Sequence, residues 1–292
     1  MQKDIPNITF NSTKPDNKGI EILTIESLSI RKNDILHNPE KAHQVAFNMI
    51  VFYTAGATQQ LVDFVWHEVK KNTIIHLAKG QINTFQFTEG LKGYILLFTD
   101  DYLKKQIHSL PENEMIRLFN SHLFSPKIQV PEASNVPTYF ELFYEEYSNT
   151  NEDYNQENTY NALHSILFSK LERLKQYQTV HLKRSDKLNT FLNFKALLED
   201  HFNKNRNADF YAHTLNITYK HLNSICKDII KVTAKQFIDA FVILEAKRLL
   251  INSEIKSTEL AYSLGFEEPT NFVKYFKKHT GLTPNSFKKD YI

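Results

Sequence analysis

Between residues 19 and 99 the apolar residues come in short bursts. GIEILTIESL, AFNMIVFYTAG, LVDFVWHEV, NTIIHL, INTFQF and GYILLFT are each rich in β-branched and aromatic side chains, with turn signals such as AGATQQ, VKKN and LAKG between them. Six such runs at short intervals predict an antiparallel β-sandwich or barrel. Four of the nine prolines then fall between 111 and 137, so this stretch reads as a broken connector with one short helix in ENEMIRLFNSHLF. Beyond it the period changes. VPTYFELFYEEYSN and ENTYNALHSILFSKLERLKQYQ carry helical spacing, with Tyr160, Leu163, Leu167, Leu171, Leu174 and Tyr177 in one stripe. That stripe fits either packing on the protein's own sheet or a dimer helix, since its spacing is also close to a heptad pattern. VHLKRSDKLN, 180 to 189, is polar and basic and marks the boundary between a domain at 1–180 and one at 186–292. The second domain reads as helix throughout, so the chain as a whole is α+β.

Composition adds limits. A chain of 292 residues with 41% hydrophobic, 13% aromatic and 23% charged residues has the make-up of a folded globular protein of two domains. MQKDIPNITF holds no signal-peptide core, and the most apolar run, AFNMIVFY, is too short to span a bilayer, so a soluble cytoplasmic protein without membrane partners is expected. The single cysteine, Cys226, excludes an internal disulfide and a cysteine zinc cluster. Net charge is +2 but unevenly placed: residues 1–184 carry 19 basic and 21 acidic side chains, residues 185–292 carry 16 and 12. The basic part is the helical one, which turns attention toward a polyanion.

The last hundred residues repeat themselves. At an offset of 50, Leu222 falls on Phe272, Ile225 on Tyr275, Cys226 on Phe276, Lys227 on Lys277, Thr233 on Thr283 and Phe237 on Phe287; upstream the offset is 49, with Ala212 on Ala261, Leu215 on Leu264, Asn216 on Gly265 and Ile217 on Phe266. A one-residue length change belongs in a turn. Each copy therefore predicts helix, tight turn, helix, with small Ala261 allowing a close helix crossing and Gly265 closing the first helix in a left-handed conformation. Asn216 takes that place in the first copy, asparagine being enriched in this conformation. Thr233 with Gln236, and Thr283 with Pro284, open the helices that follow.

This is a helix-turn-helix pattern, and the far side of each second helix tests it. With Leu222 inward, Lys220, Asn223, Ser224 and Lys227 point away; with Phe272 inward, Thr270, Lys274, Lys277 and Lys278 do. These faces hold hydrogen-bond donors and no acid except Asp228 at the edge, whereas an ordinary solvated helix face mixes both signs.

The segment ELAYSLGFEEPTNFVKYFKKHTGLTP resembles the signature of the AraC/XylS transcriptional regulators, A-x-x-x-G-F followed by P-x-x-F-x-x-x-F-K-K-x-x-G-x-T-P, and the resemblance extends over roughly 190–292. It implies a C-terminal all-α domain of two helix-turn-helix units joined by a long helix. KQFIDAFVILEAKRLLI would supply about seventeen residues of it, ~25 Å, enough to set two recognition helices about one DNA turn, ~34 Å, apart. Asn216 and Lys231 stand where the family commonly has glycine, Val242 where it has arginine, and Ser257 where it has an apolar residue. The resemblance further implies a cupin-like N-terminal domain that senses a small-molecule effector and dimerises, double-stranded DNA and RNA polymerase as partners, and activation as the commoner outcome. A ligand-independent regulator is the alternative.

By carry-over onto matching positions, Lys220, Asn223, Ser224, Thr270, Asn271 and Lys274 are the candidates for base contacts, and Lys227, Lys277 and Lys278, toward the helix ends, for phosphates. Neither second helix contains arginine, so readout is expected to lean on lysine, asparagine and DNA shape. Tyr53, Trp66, His67 and His76 are effector-site candidates, as strand residues with one polar handle. None of His37, His43, His67 and His76 forms the H-x-H pair with a following glutamate that a metal cupin needs, so no metal or other cofactor is expected. No H-E-x-x-H, G-x-S-x-G, phosphate-cradling loop or Cys-His nucleophile is present, which speaks against the rival reading of an enzyme on the N-terminal barrel with no catalytic residue to name.

Overall fold

The computed structural model describes residues 5–10, 19–32, 37–106, 125–149, 156–176, 186–252 and 255–291. It falls into two compact units, Pro6–Val180 on one side and His181–Ile292 together with Met1–Ile5 on the other. The helix expected in ENEMIRLFNSHLF lies outside the described residues.

In the first unit the strands are β1 (Asn7–Ile8), β2 (Ile20–Thr24), β3 (His43–Val45), β4 (Asn48–Ala55), β5 (Ala57–Val62), β6 (Val65–Lys70), β7 (Thr73–Leu77), β8 (Ile82–Phe85), β9 (Lys92–Phe98) and β10 (Lys127–Gln129). They form two sheets, ordered β1-β3-β8-β5-β6 and β10-β7-β4-β9-β2. The pairings are antiparallel apart from β1 on β3. Of the two expected forms the sandwich is the one built: the sheets stay separate, and Val45, Met49, Val51, Tyr53, Val62, Val69, Ile75 and Ile95 from both of them share one core.

Strand β4 explains why the run NMIVFY has no polar alternation. Val51 and Tyr53 face the inter-sheet core, while Ile50 and Phe52 face helices α3 (Val136–Ser148) and α4 (Gln156–Gln176), and all four are fully buried. Phe52 stacks on Phe140 at 4.9 Å. Each such side chain contributes ~1.5–3 kcal/mol by leaving water. The helical stripe is thereby accounted for: Tyr160, Leu167 and Leu171 are buried in this same cluster, with Leu163 and Leu174 packed against it, so the stripe covers the protein's own sheet. Tyr177 lies outside the described residues.

Two strand expectations need correction. The run GIEILTIESL is strand only to Thr24, whose Oγ1 accepts the Ser27 N–H at 3.1 Å and starts helix α1 (Ile25–Arg31). LVDFVWHEV is not one strand but the middle of a hairpin, turned at Asp63 and Phe64, both with positive φ (46° and 68°). AGATQQ, expected as a turn, supplies β5: the reversal sits at Gly56 (φ 79°), and Gln60 is buried because its amide has partners on both sides. After β9 comes the short helix α2 (Asp100–Gln106).

The second unit consists of helices α5 (Asp186–His201), α6 (Ala208–Thr214), α7 (Tyr219–Ile230), α8 (Ala234–Asn252), α9 (Ser257–Ser263), α10 (Pro269–Thr280) and α11 (Pro284–Tyr291). The joining helix α8 has 19 residues, ~28 Å. Phe237, Ile238, Phe241, Val242, Ile243, Ala246 and Leu250 are buried along it, more than one face can hold, because helices pack on it from both repeats. Among the described residues no helix is long and apolar enough to cross a membrane.

Candidate nucleic-acid interface

Both copies of the repeat close their turns with the same bonds. In the first, Ile217 N–H donates to the Ala212 carbonyl at 3.0 Å across Asn216 at φ 55°; in the second, Phe266 N–H donates to the Ala261 carbonyl at 2.9 Å across Gly265 at φ 73°. This is the bond pattern that ends a helix through one left-handed residue. Ala212, Ala261, Leu260 and Leu264 are buried at the crossing. Thr233 and Gln236 cap each other's backbone N–H at the start of α8, and Thr283 Oγ1 accepts the Ser286 N–H at the start of α11.

Helix α7 buries Leu222, Ile225, Cys226 and Ile229, and α10 buries Phe272 and Phe276. Burial pushes the Cys226 thiol up to about 12, so it stays a neutral core group. On the other side, Lys220, Ser224 and Lys227 of α7 and Thr270, Asn271, Lys274, Lys277 and Lys278 of α10 are all exposed. Among the described residues no ion pair or hydrogen bond engages any of these five lysine ammonium groups. Lysines elsewhere in the unit do find partners: Lys187 reaches Asp228 at 2.5 Å, Lys195 pairs with Glu199, and Lys235 reaches Asp239 at 2.6 Å. The Lys187 hydrogen bond holds the Asp228 carboxyl below its usual range, so the one acid at the edge of the first face is already matched. What remains on each face is uncompensated positive charge and neutral donors, the surface a phosphate backbone and base edges accept.

Asn223 differs from the others. It is half-buried, and its Oδ1 accepts the Ala234 N–H at 2.9 Å, so it caps the next helix and only its amide nitrogen is left to donate outward. The signal for this second task was in the repeat: fifty residues on, the N–H donor is replaced by Pro284, which has none, and the acceptor by Val273.

The four residues proposed from sequence as an effector site do not converge. Tyr53 is sealed in the inter-sheet core, Trp66 and His67 sit on β6 at a sheet edge, and His76 is buried in β7. The first unit does contain a cavity of about 580 Å³, lined by apolar residues including Phe10, Leu23, Leu28, Phe47, Met49 and Leu97, with Arg31, His37 and His43 as its polar groups that carry or can take up charge. His43 ends a one-way chain of hydrogen bonds. Tyr53 OH donates to Gln60 Oε1 (2.8 Å), Gln60 Nε2 to Asn83 Oδ1 (2.8 Å), and Asn83 Nδ2 to His43 Nε2 (3.2 Å), while His43 Nδ1 donates to the Lys41 carbonyl (2.9 Å). Burial lowers the His43 pKa to about 4, which keeps the ring neutral and able to accept from Asn83. Sequence reasoning missed this cavity because its walls come from separate segments of the chain. Among the described residues no group of three His, Cys, Asp or Glu is arranged to hold a metal ion.

The chain has a β-sandwich unit followed by two helix-turn-helix repeats on one joining helix, and known proteins match its second half. Residues 211–290 match the family model described as a helix-turn-helix domain. The chain is 28% identical over 131 residues to the HTH-type transcriptional activator RhaS of Escherichia coli O139:H28, covering 44% of this chain and 46% of that protein, and equally to RhaS of E. coli strain SE11. The chain thus spans about half the length of the curated relatives it matches. Among solved structures it is similar to ToxT of Vibrio cholerae O395 (TM-score 0.48, 14% identity, 94% of this chain and 99% of that one). It is also similar to the C-terminal domain of the response regulator yesN of Fusobacterium nucleatum (TM-score 0.32, 22% identity, 34% and 98%). The C-terminal unit is a helix-turn-helix domain, and a β-rich unit precedes it.

Proposed function

We propose that this chain is a sequence-specific regulator of transcription that reads double-stranded DNA with α7 and α10, acts in the cytoplasm, and responds to a small molecule held in the N-terminal cavity. One observation carries the reading: two copies of the same helix-turn-helix each turn an exposed, unpaired cationic face outward. Lys220, Ser224, Thr270, Asn271 and Lys274, with the Asn223 amide nitrogen, are the groups for base edges, and Lys227, Lys277 and Lys278 those for phosphates. That the relative RhaS is a transcriptional activator supports activation, which requires contact with RNA polymerase and is compatible with a dimer. Catalysis has no part in this reading.

The lining argues for the effector's class. An apolar wall favours an apolar body, and Arg31 and His37 at the wall favour one anionic group on it; His43 contributes no free ring nitrogen, since both are taken. Sequencing the duplexes that the purified chain retains from a random pool tests the DNA reading. A recurrent bipartite motif is the expected result, and retention without sequence preference would contradict it. A panel of carboxylates with hydrophobic bodies tests the cavity: at least one should raise the midpoint of thermal unfolding, and Arg31→Ala should abolish that rise.

A further inference from the structure

Arg206 precedes the first helix-turn-helix in the chain, yet its side chain is spent on the second. One guanidinium nitrogen donates to the Leu264 carbonyl at 2.6 Å and another to the Gly265 carbonyl at 3.0 Å, and the guanidinium carbon sits 3.8 Å above the Phe266 ring. These carbonyls lie at the C-terminal end of α9, where the helix dipole favours a cation. A Cβ on Gly265 would stand 1.9 Å from the Asn203 carbonyl oxygen, so the backbone before the first unit touches the turn of the second.

The contacts continue into a closed loop. Phe266 packs against Tyr275 of α10 with ring centroids 5.3 Å apart. Tyr275 OH donates to Asp239 Oδ1 at 2.8 Å, and burial together with this carboxylate holds the phenol well above its usual range, so it remains a donor. Asp239, on the joining helix, accepts from Lys235 at 2.6 Å, and Lys235 Nζ also donates to the Arg206 carbonyl at 3.2 Å, which returns the circuit to its start. Packing on the joining helix holds each unit to that helix but makes no direct tie between the units. This circuit ties the second recognition helix to the segment that introduces the first.

We infer that Arg206, Asp239 and Tyr275 are positioning residues that lock the two helix-turn-helix units at one separation and angle, so that the protein reads only sites whose two halves have a fixed spacing. The inference rests on the DNA-binding reading and extends it: an arginine and a tyrosine that could have faced DNA set the ruler instead. It names what a lone joining helix does not supply, a specificity for spacing as distinct from sequence.

The test uses the full chain and the bipartite site it selects, with zero, one or two base pairs inserted between the halves. One inserted base pair should weaken wild-type binding at least about tenfold, since each half must meet its helix in the groove. In Arg206→Ala and in Tyr275→Phe, which removes only the hydroxyl, the penalty should shrink to within about threefold while affinity for either isolated half is retained. A loss of folded protein would lower all affinities together and leave the ratio unchanged, so a wild-type ratio in both variants overturns the lock. If the wild type selects no bipartite site, the DNA-binding reading itself fails, and amide hydrogen exchange then judges the lock alone. Exchange across 264–276 should quicken in both variants while 211–230 keeps its protection, and unchanged exchange overturns it.

Discussion

Where the first helix-turn-helix uses a side chain, the second uses the backbone. Asn216 holds the left-handed turn that Gly265 holds in the other, Lys231 (φ 62°) stands for Gly281 (φ 79°), and Asn223 caps the Ala234 N–H, whereas the matching positions of the second copy are Val273 and Pro284, a proline that needs no cap. Their cores differ too: Leu222, Ile225 and Cys226 are matched by Phe272, Tyr275 and Phe276. The comparison shows that one fold tolerates two chemistries, provided each orphan N–H and each left-handed residue is answered somewhere. It also shows an asymmetry with a use: from outside, the first unit is held by Lys187 at the far end of its second helix, whereas the second is gripped at its turn by Arg206 and through Tyr275 by Asp239.

The comparison breaks most visibly at the turns. Gly265→Ala forces a Cβ against the Asn203 carbonyl at a positive φ and should cost about 3 kcal/mol or more, whereas Asn216→Gly should stay within about 1 kcal/mol, both by urea unfolding. Equal costs would mean that the close approach of Asn203 is not what demands glycine. Next in size come the recognition faces. Lys274→Ala should remove about 1–3 kcal/mol of discrimination at particular bases, read as binding to single-base variants of the selected site. A smaller effect sharpens the capping contrast. Asn223→Ala orphans the Ala234 N–H and should cost about 1 kcal/mol, and adding Ala234→Pro should recover most of that, because proline at the first helical position removes the donor. Failure of the double variant to recover would show that Asn223 matters for another reason. The smallest change is expected from the helix ends: Lys277→Ala, and Lys227→Ala at the matching place, should each flatten the salt dependence by about one unit of slope and weaken all sequences alike.

Much of this was legible in the sequence because the second unit is local and repeated. The offset of 49 to 50, Gly265 and Asn216 at the turns, and the mutual cap of Thr233 and Gln236 all act within a few residues, so spacing alone located them. The outward lysines followed from the inward apolar positions. What spacing could not show were the contacts between residues far apart in the chain: Arg206 on Leu264 and Gly265, Asp239 on Tyr275, and a cavity assembled from several segments. In the first unit Gln60 read as turn material because glutamine is seldom buried, yet Tyr53 and Asn83 satisfy its amide and make it a strand residue. Asp63 suits the first place of a hairpin turn, but Phe64 stands where such turns favour glycine, and that hid the turn.

The central claim is that two unequal cationic faces read one DNA site, and it can be tested base by base. Binding of the wild type, Lys220→Ala and Lys274→Ala to every single-base variant of the selected site should show two separate sets of altered positions, about one helical turn apart, one set for each substitution. Uniform weakening by both substitutions, with the base preferences intact, would contradict it.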